Sequence, residues 1–273
     1  MMPVLYATGN YVDEDTLFSV STEDPLGIYV MANLYNQRPG LPFRANSNVT
    51  VTICVDAGLG NTLSPTIVGV INHNLATVTV FTIEGSNIAC GGGGGETWTL
   101  TLCPNHNNSV RKITPAVGYR YWQLVITGTI VAGGAAVLEI GEFILTTWAN
   151  FTEFYVVSEG EGVAIPASSQ KTHYGQPWEH KYSEHMVFTL QPIQRTATAG
   201  AIDELRLFLQ ALGGAAGRFI FSPDDTYLNT YCQGYYGHLV GQEFLASRIK
   251  TGAADLLQWN LRFEELPKGI VMI

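Results

Sequence analysis

Charge is scarce in this sequence. Asp, Glu, Lys and Arg together supply 14% of its 273 residues, against about a quarter in an ordinary soluble domain. Surface charge keeps monomers apart. Its shortage, beside 29 Gly and 13 Tyr, favours a surface built to meet other protein. Positive charge is scarcer still, with 14 Lys and Arg, no cluster of them, and a net charge of −9. A nucleic-acid binder needs a basic footprint to neutralise phosphates, so that class is excluded. Insertion into an anionic membrane is disfavoured for the same reason.

Long apolar runs are missing too. The least polar stretch, Thr129 to Leu138, is interrupted by Gly133 and Gly134 and falls well short of the roughly 20 residues a spanning helix needs. The opening MMPVLYATGN has neither the basic nor the apolar region of a signal peptide. The expectation is a soluble chain made in the cytoplasm. Cysteine is limited to Cys54, Cys90, Cys103 and Cys232, without C-x-x-C spacing. Cys54 reads as a small apolar group within a strand. Cys90 and Cys103 flank a glycine-rich loop and could approach each other. A cytosolic disulfide is not the expected state, and whether these two pair is left open. Cys103 and His106 alone do not make the four ligands of a zinc site.

Catalytic signatures are equally absent. There is no G-x-S-x-G, and WEHKYSEH places His180 and His185 five apart, unlike H-E-x-x-H. That step puts the two side chains on opposite faces of a strand, and the segment reads as a solvated loop. Acidic pairs occur at Asp13-Glu14-Asp15, Glu159/Glu161, Asp224-Asp225 and Glu264-Glu265. They fall in turns or at strand ends, with nothing to set two carboxyls across a cleft as glycoside hydrolysis requires. The run Gly91 to Gly95 lacks the Lys-Ser/Thr of a phosphate loop and reads as a flexible hairpin tip. His73, between two asparagines, reads as a histidine satisfied by its own neighbours. The expectation is a chain that is no enzyme, with no cofactor and no metal.

What is present is period-two alternation, the signature of strands. In Val49 to Asp56, Val49, Val51, Ile53 and Val55 share one side, and Thr50, Thr52, Cys54 and Asp56 the other. Similar runs cover 77–83, 97–103, 120–127 and 137–145, separated by glycine-marked turns, the pattern of a β-sandwich. Near Trp148 the character changes, and residues 159–178, rich in Gly, Ser, Gln and Pro, read as a crossing or wrapping segment. Further strands are predicted at 186–191, 218–222, 235–240, 243–249 and 257–264. One helix is predicted over 201–212, with Ile202, Leu205, Leu209 and Leu212 on one stripe, Phe208 beside it, and Asp203 and Glu204 in the first turn. The fold class is mainly β: a jelly-roll sandwich over 1–148, then a β-sandwich or barrel with one helix over 149–273. Around Cys232, Tyr227, Tyr231, Tyr235 and Tyr236 form an aromatic cluster, split evenly between interface and core readings. With Asp224 and Asp225 they are the candidate interface residues.

The order of motifs carries a resemblance. Asp13-Glu14-Asp15-Thr16-Leu17, Asn33 to Pro39, Phe43-Arg44-Ala45, Asp56-Ala57-Gly58, Val70 to Leu75, Tyr119 to Leu124 and Glu139 to Phe143 together resemble the discoidin-like, galactose-binding-like jelly roll of bacteriophage tail proteins. The likeness covers about residues 5 to 148. The helix at 201–212, the turn at Ser222 to Asp225 and the strand ending Phe263-Glu264-Glu265 resemble, more loosely, the tail-tube-like modules of distal tail and baseplate proteins, with the usual domain order reversed. The resemblance implies a structural component of a tail tip or baseplate in the virion, assembled in the host bacterial cytoplasm. It implies a ring homo-oligomer, a hexamer as first guess, that contacts other tail proteins. A jelly roll of this type also implies an alternative, binding of host-surface glycan, using end-loop aromatics with Asp, Asn or Arg. Trp98, Trp122 and Trp148 are available, the first two expected in the core. Polysaccharide hydrolysis is the remaining alternative.

Overall fold

The structure, a computed structural model, describes residues 4–23, 25, 27–38, 40–45, 50–75, 80–100, 108–127, 137–151, 154–164, 167–171, 177–181, 185–192, 195–196, 207–212, 217–222, 228, 234–240, 247–251, 254–258 and 261–266. Over 154–196 and 247–258 the description is of the backbone.

Strands dominate. In chain order they are β1 (Val4–Thr8), β2 (Leu17–Val20), β3 (Phe43–Arg44), β4 (Thr50–Asp56), β5 (Ile67–Ile71), β6 (Val80–Ser86), β7 (Glu96–Leu100), β8 (Ser109–Lys112), β9 (Tyr121–Thr127), β10 (Glu139–Ile140), β11 (Glu142–Thr146) and β12 (Ala149–Phe151). There follow β13 (Phe154–Ala164), β14 (Ala167–Lys171), β15 (Pro177–Lys181), β16 (His185–Pro192), β17 (Arg195–Thr196), β18 (Arg218–Ser222), β19 (Tyr235–Val240), β20 (Ser247–Thr251), β21 (Ala254–Gln258) and β22 (Leu261–Glu265). Among the described residues 207–211 and residue 228 are α-helical. No helix there is long and apolar enough to cross a membrane.

The first unit is a jelly-roll-like sandwich. Its outer sheet has the order β2-β4-β9-β6-β7 and its inner sheet β11-β5-β8. Alternation fills the space between them. Val51, Ile53 and Val55 of β4, Phe81 and Ile83 of β6, and Trp122, Leu124 and Ile126 of β9 are all fully buried. They meet Val68, Val70, Phe143 and Leu145 from the inner sheet in one core. The predicted strand over 137–145 is two strands. At Gly141 the backbone N–H is shared between the carbonyls of Ile71 and Asn72, so β10 pairs with β3 while β11 pairs with β5.

The inner sheet is covered on its other face as well. All five residues of β5 and all five of β11 are buried. Ile67, Ile71, Val110 and Ile144 on that second face pack against Ala7, Ile220, Leu228 and Tyr236. Of those partners, Ala7, Ile220 and Tyr236 belong to a seven-stranded sheet of order β12-β1-β18-β19-β22-β16-β13. Its first and last strands follow one another in the chain, so the sheet curls. Its far face holds Phe208, Phe219, Phe221 and Phe263, whose rings meet at centroid distances of 4.9–5.2 Å. The protein is therefore layered: sheet, core, doubly buried sheet, core, sheet, aromatic core.

Several expectations are corrected here. β1, placed by sequence with the first unit, is hydrogen-bonded between β12 and β18, its register running from Leu5 opposite Ser222 to Thr8 opposite Phe219. The segment 159–178 contributes β13, β14 and the start of β15 rather than an irregular crossing. The WEHKYSEH region, expected as a loop, has its first half in β15 and His185 at the start of β16. The run 257–264 is broken into the end of β21 and the start of β22. Of the predicted helix, 207–211 is helical and 201–206 lies outside the described residues. Phe208 anchors it at 2% exposure, its ring 4.7 Å from that of Tyr6, while Leu207 is 61% exposed.

The two units approach closely enough to require glycine. A Cβ on Gly234 would lie 2.6 Å from Cβ of Val110, and one on Gly69 would touch Ile144 and Ile220 at 3.4 Å. Val110 is β-branched and fully buried, so it has no flexible end to move aside. Gly234→Ala is expected to destabilise the protein by about 1–3 kcal/mol, the usual cost of overpacking. Gly40→Ala, where nothing lies within 4 Å of the added carbon, serves as control. Urea unfolding of the two variants measures the difference, and equal midpoints would contradict the close-packed junction.

Candidate functional site

Antiparallel pairing brings one set of loops together. β4 ends at Asp56, β6 ends at Ser86 and β9 begins at Tyr121, with Asp56 and Ser86 both in register with Tyr121. The loops 57–66, 87–95 and 113–120 therefore lie at the same end of the sandwich. At its centre Arg120 Nε and Nη2 donate to the two carboxylate oxygens of Asp56 at 2.7 and 2.9 Å, a bidentate fork. The guanidinium holds the Asp56 carboxyl below its usual range, through the hydrogen bond first, against a smaller effect of burial. Three further contacts fix the pair. The Gly58 N–H donates to Asp56, the Arg120 N–H donates to Asn87 Oδ1 at 2.9 Å, and the guanidinium carbon lies 4.7 Å from the centre of the Tyr121 ring. Arg120 Nη1 makes no hydrogen bond among the described residues.

Around this pair the loops leave apolar groups in solvent: Leu59 at 88%, Ile88 at 70% and Val117 at 54% exposure. Burial within the chain does not account for them. Gly58 and Gly60 take positive φ of 89° and 81° on either side of Leu59, a conformation glycine adopts without the steric cost other residues incur. The five glycines form a hairpin loop between β6 and β7, as the sequence suggested, with Gly91, Gly93 and Gly94 at positive φ.

That loop is tied down by a bond the sequence did not indicate. Cys90 is disulfide-bonded to Cys54 on β4, with Cα atoms 6.1 Å apart. The partner considered from sequence, Cys103, lies outside the described residues. The cause is register. Cys54 sits on the outer face of β4 opposite Gln123 of β9, and the loop after β6 folds back over that face. Cys54, expected as a free thiol, is thereby 97% hidden.

The other sequence candidates fare differently. Tyr235 and Tyr236 are 3% and 4% exposed, so these two are core side chains and not part of an exposed interface. Tyr227, Tyr231, Asp224 and Asp225 lie outside the described residues. Trp122 is fully buried in the core, as expected, and its ring stacks at 5.7 Å on Trp98, which is only partly buried at the core's edge. Trp148 carries Lys112 Nζ 3.9 Å from its ring centre. His73 is 4% exposed. Its Nδ1 accepts the Leu75 N–H, which leaves Nε2 to donate to Ser109 Oγ at 2.9 Å. Burial lowers its pKa to about 4, so the ring is neutral and satisfied, the structural role expected of it. Among the described residues no group of three or more His, Cys, Asp and Glu could hold a metal ion. Sequence reasoning missed Arg120 and Asp56 as a pair, because 64 residues separate them. The one available signal was their position at the ends of two predicted strands.

The disulfide bears on the pair through Asn87, three residues before Cys90. Cys90→Ser is expected to free the 87–95 loop and raise amide exchange at 87–95 and at Arg120 by about tenfold, with β5 and β11 unchanged. Hydrogen exchange read by mass spectrometry measures this, and an unchanged loop would show that the disulfide does not order it.

No family model matches the chain, and no curated protein matches it. Among solved structures, the lectin domain of lectinolysin complexed with Lewis B antigen is similar at 12% identity and TM-score 0.39, covering 51% of this chain and 97% of its own. The family 32 carbohydrate-binding module of C. perfringens NanJ in complex with galactose is similar at 12% identity and TM-score 0.36, covering 53% and 99%. Reduced XRCC1 bound to the DNA polymerase β catalytic domain is similar at 15% identity and TM-score 0.36, covering 48% and 94%. At such scores these likenesses carry no functional argument.

Proposed function

We propose that this chain is a non-catalytic β protein whose jelly-roll unit binds carbohydrate at the loop end centred on Arg120 and Asp56. The observation that supports this reading is the bidentate Asp56–Arg120 fork set against Tyr121 and rimmed by exposed Leu59, Ile88 and Val117. A sugar presents hydroxyls that both donate and accept, and C–H faces that pack on apolar and aromatic surface. A fixed Asp–Arg pair supplies an acceptor and donors at neutral pH without a change of protonation. The apolar rim supplies area, and Asn61 and Asn87 add further amide groups. Held on loops at the ends of rigid strands, the groups need little ordering on binding, which favours affinity. A glycan array of the intact protein, followed by calorimetry on any ligand found, tests the reading. Arg120→Ala is expected to weaken binding by about 10- to 100-fold, the range for losing charge-assisted hydrogen bonds. Absence of any glycan ligand, or unchanged affinity in Arg120→Ala, would remove the proposal.

A second reading, compatible with the first, makes the chain a structural subunit of a bacteriophage tail tip, self-associated in a ring and projecting the jelly roll outward. Its support is the sequence resemblance and the low charge content of 14%. It is further favoured by apolar side chains exposed away from the loop end, Leu207 at 61% and Ile28 at 58%. Light scattering coupled to size exclusion is expected to show a discrete oligomer. A strictly monomeric protein at high concentration would count against it.

A further inference from the structure

The junction between the two units contains a group that a plain apolar contact would not need. Glu142 stands on the face of β11 turned toward the seven-stranded sheet, next to Ile144 of the second core, and is 1% exposed. Its Oε2 is out of reach of solvent and has no hydrogen-bond partner among the described residues. The neighbouring elements offer few groups to balance a charge there. From β19 the Tyr236 hydroxyl hydrogen-bonds the carboxyl, and from β18 Arg218 lies near enough to attract it. His238, two residues beyond Tyr236 and in register with Arg218, is the remaining titratable group on that face of β19, and its own Nδ1 is buried without a hydrogen-bond partner among the described residues. β1 and β5 present Ala7 and Ile71, neither of which titrates. Glu265, the other buried carboxylate nearby, is already engaged by Asn108 Nδ2 at 3.0 Å. Beside Glu142 runs a cleft of about 110 Å³, lined by Asn10, Gln37, Arg218 and Tyr236 among others, large enough to admit water.

We infer that Glu142 makes the junction a proton-dependent latch, dry and closed when its carboxyl is neutral and loosened when it ionises and draws water in through the cleft. Burial is the main cause of a pKa raised from 4.5 to about 7, only partly offset by Tyr236 and Arg218. The sign follows from linkage. A group whose pKa is raised in the closed state stabilises that state fully below pH 4.5, and the contribution is lost as pH rises through about 7. Above that the effect levels off. The junction is thus tighter in mildly acidic than in mildly alkaline solution.

Hydrogen exchange on the full chain at pH 5.5 and 8.5, corrected for the intrinsic rate, tests this. Opening measured at β11, β18 and β19 is expected to rise about thirtyfold across that interval, the factor that open- and closed-state values of 4.5 and 7 imply. The outer sheet, β4 and β9, is expected to change far less. Glu142→Gln keeps the shape without the charge and is expected to abolish the dependence. Tyr236→Phe, which removes a donor to the carboxylate, is expected to move the midpoint to higher pH. Equal protection at the two pH values in the unaltered protein, or a dependence that survives in Glu142→Gln, overturns the latch.

Discussion

The structure depends on one sheet being buried twice. β11, β5 and β8 give one face to the jelly-roll core and the other to the seven-stranded sheet, so neither unit is complete without it. Removing apolar surface from water is the largest favourable contribution to folding, and here a three-stranded sheet supplies it on both sides. Small residues at the contact follow from this. Gly234 lets backbones approach where a Cβ would run into Val110, and Gly69 leaves just room for Ile144 and Ile220. Glu142 gains its importance from the same fact, because a carboxylate on a half-exposed sheet would simply face water.

Double burial also explains which parts of the fold the sequence revealed. β9 is buried on one face and alternates strictly, β4 does the same except where the disulfide loop covers Cys54, and both are found within a residue of their predicted bounds. β18 and β19 match their predicted ranges. β5, read as IVGVI, has no alternation because both faces are apolar, so its period carries no strand signal. β1 is too short and too far from its partners for any local pattern to place it with β18. The break at Gly141 and the two strands inside 257–264 depend on which neighbour each half pairs with, and pairing is not written in a single strand.

The candidate site shows the same division. Its residue types were legible, since Asp, Arg, Asn and Tyr at strand ends are what a ligand-holding loop end requires. Their meeting was not, because Asp56 and Arg120 come from different strands and the register between them is a tertiary fact. The tyrosine cluster illustrates the converse. Proximity in sequence left interface and core readings evenly matched, but Tyr236 is buried against the doubly covered sheet and Tyr235 on the opposite face of β19. The Cys54–Cys90 bond was hidden for a related reason, as strand facing and loop return decide which thiols can meet.

The placement of β1 sets an order of events. Residues Val4–Thr8 must wait for Arg218–Ser222 before the central pairing of the larger sheet can close, so more than 200 residues of chain separate β1 from the second of its two partners. Contacts so distant along the chain are slow to form. The jelly-roll strands, whose partners are nearer, have time to assemble first and offer their inner sheet as a surface. Severing the chain near residue 148 would part β1 from β18 and leave a gap in the sheet into which a strand from another molecule could slip.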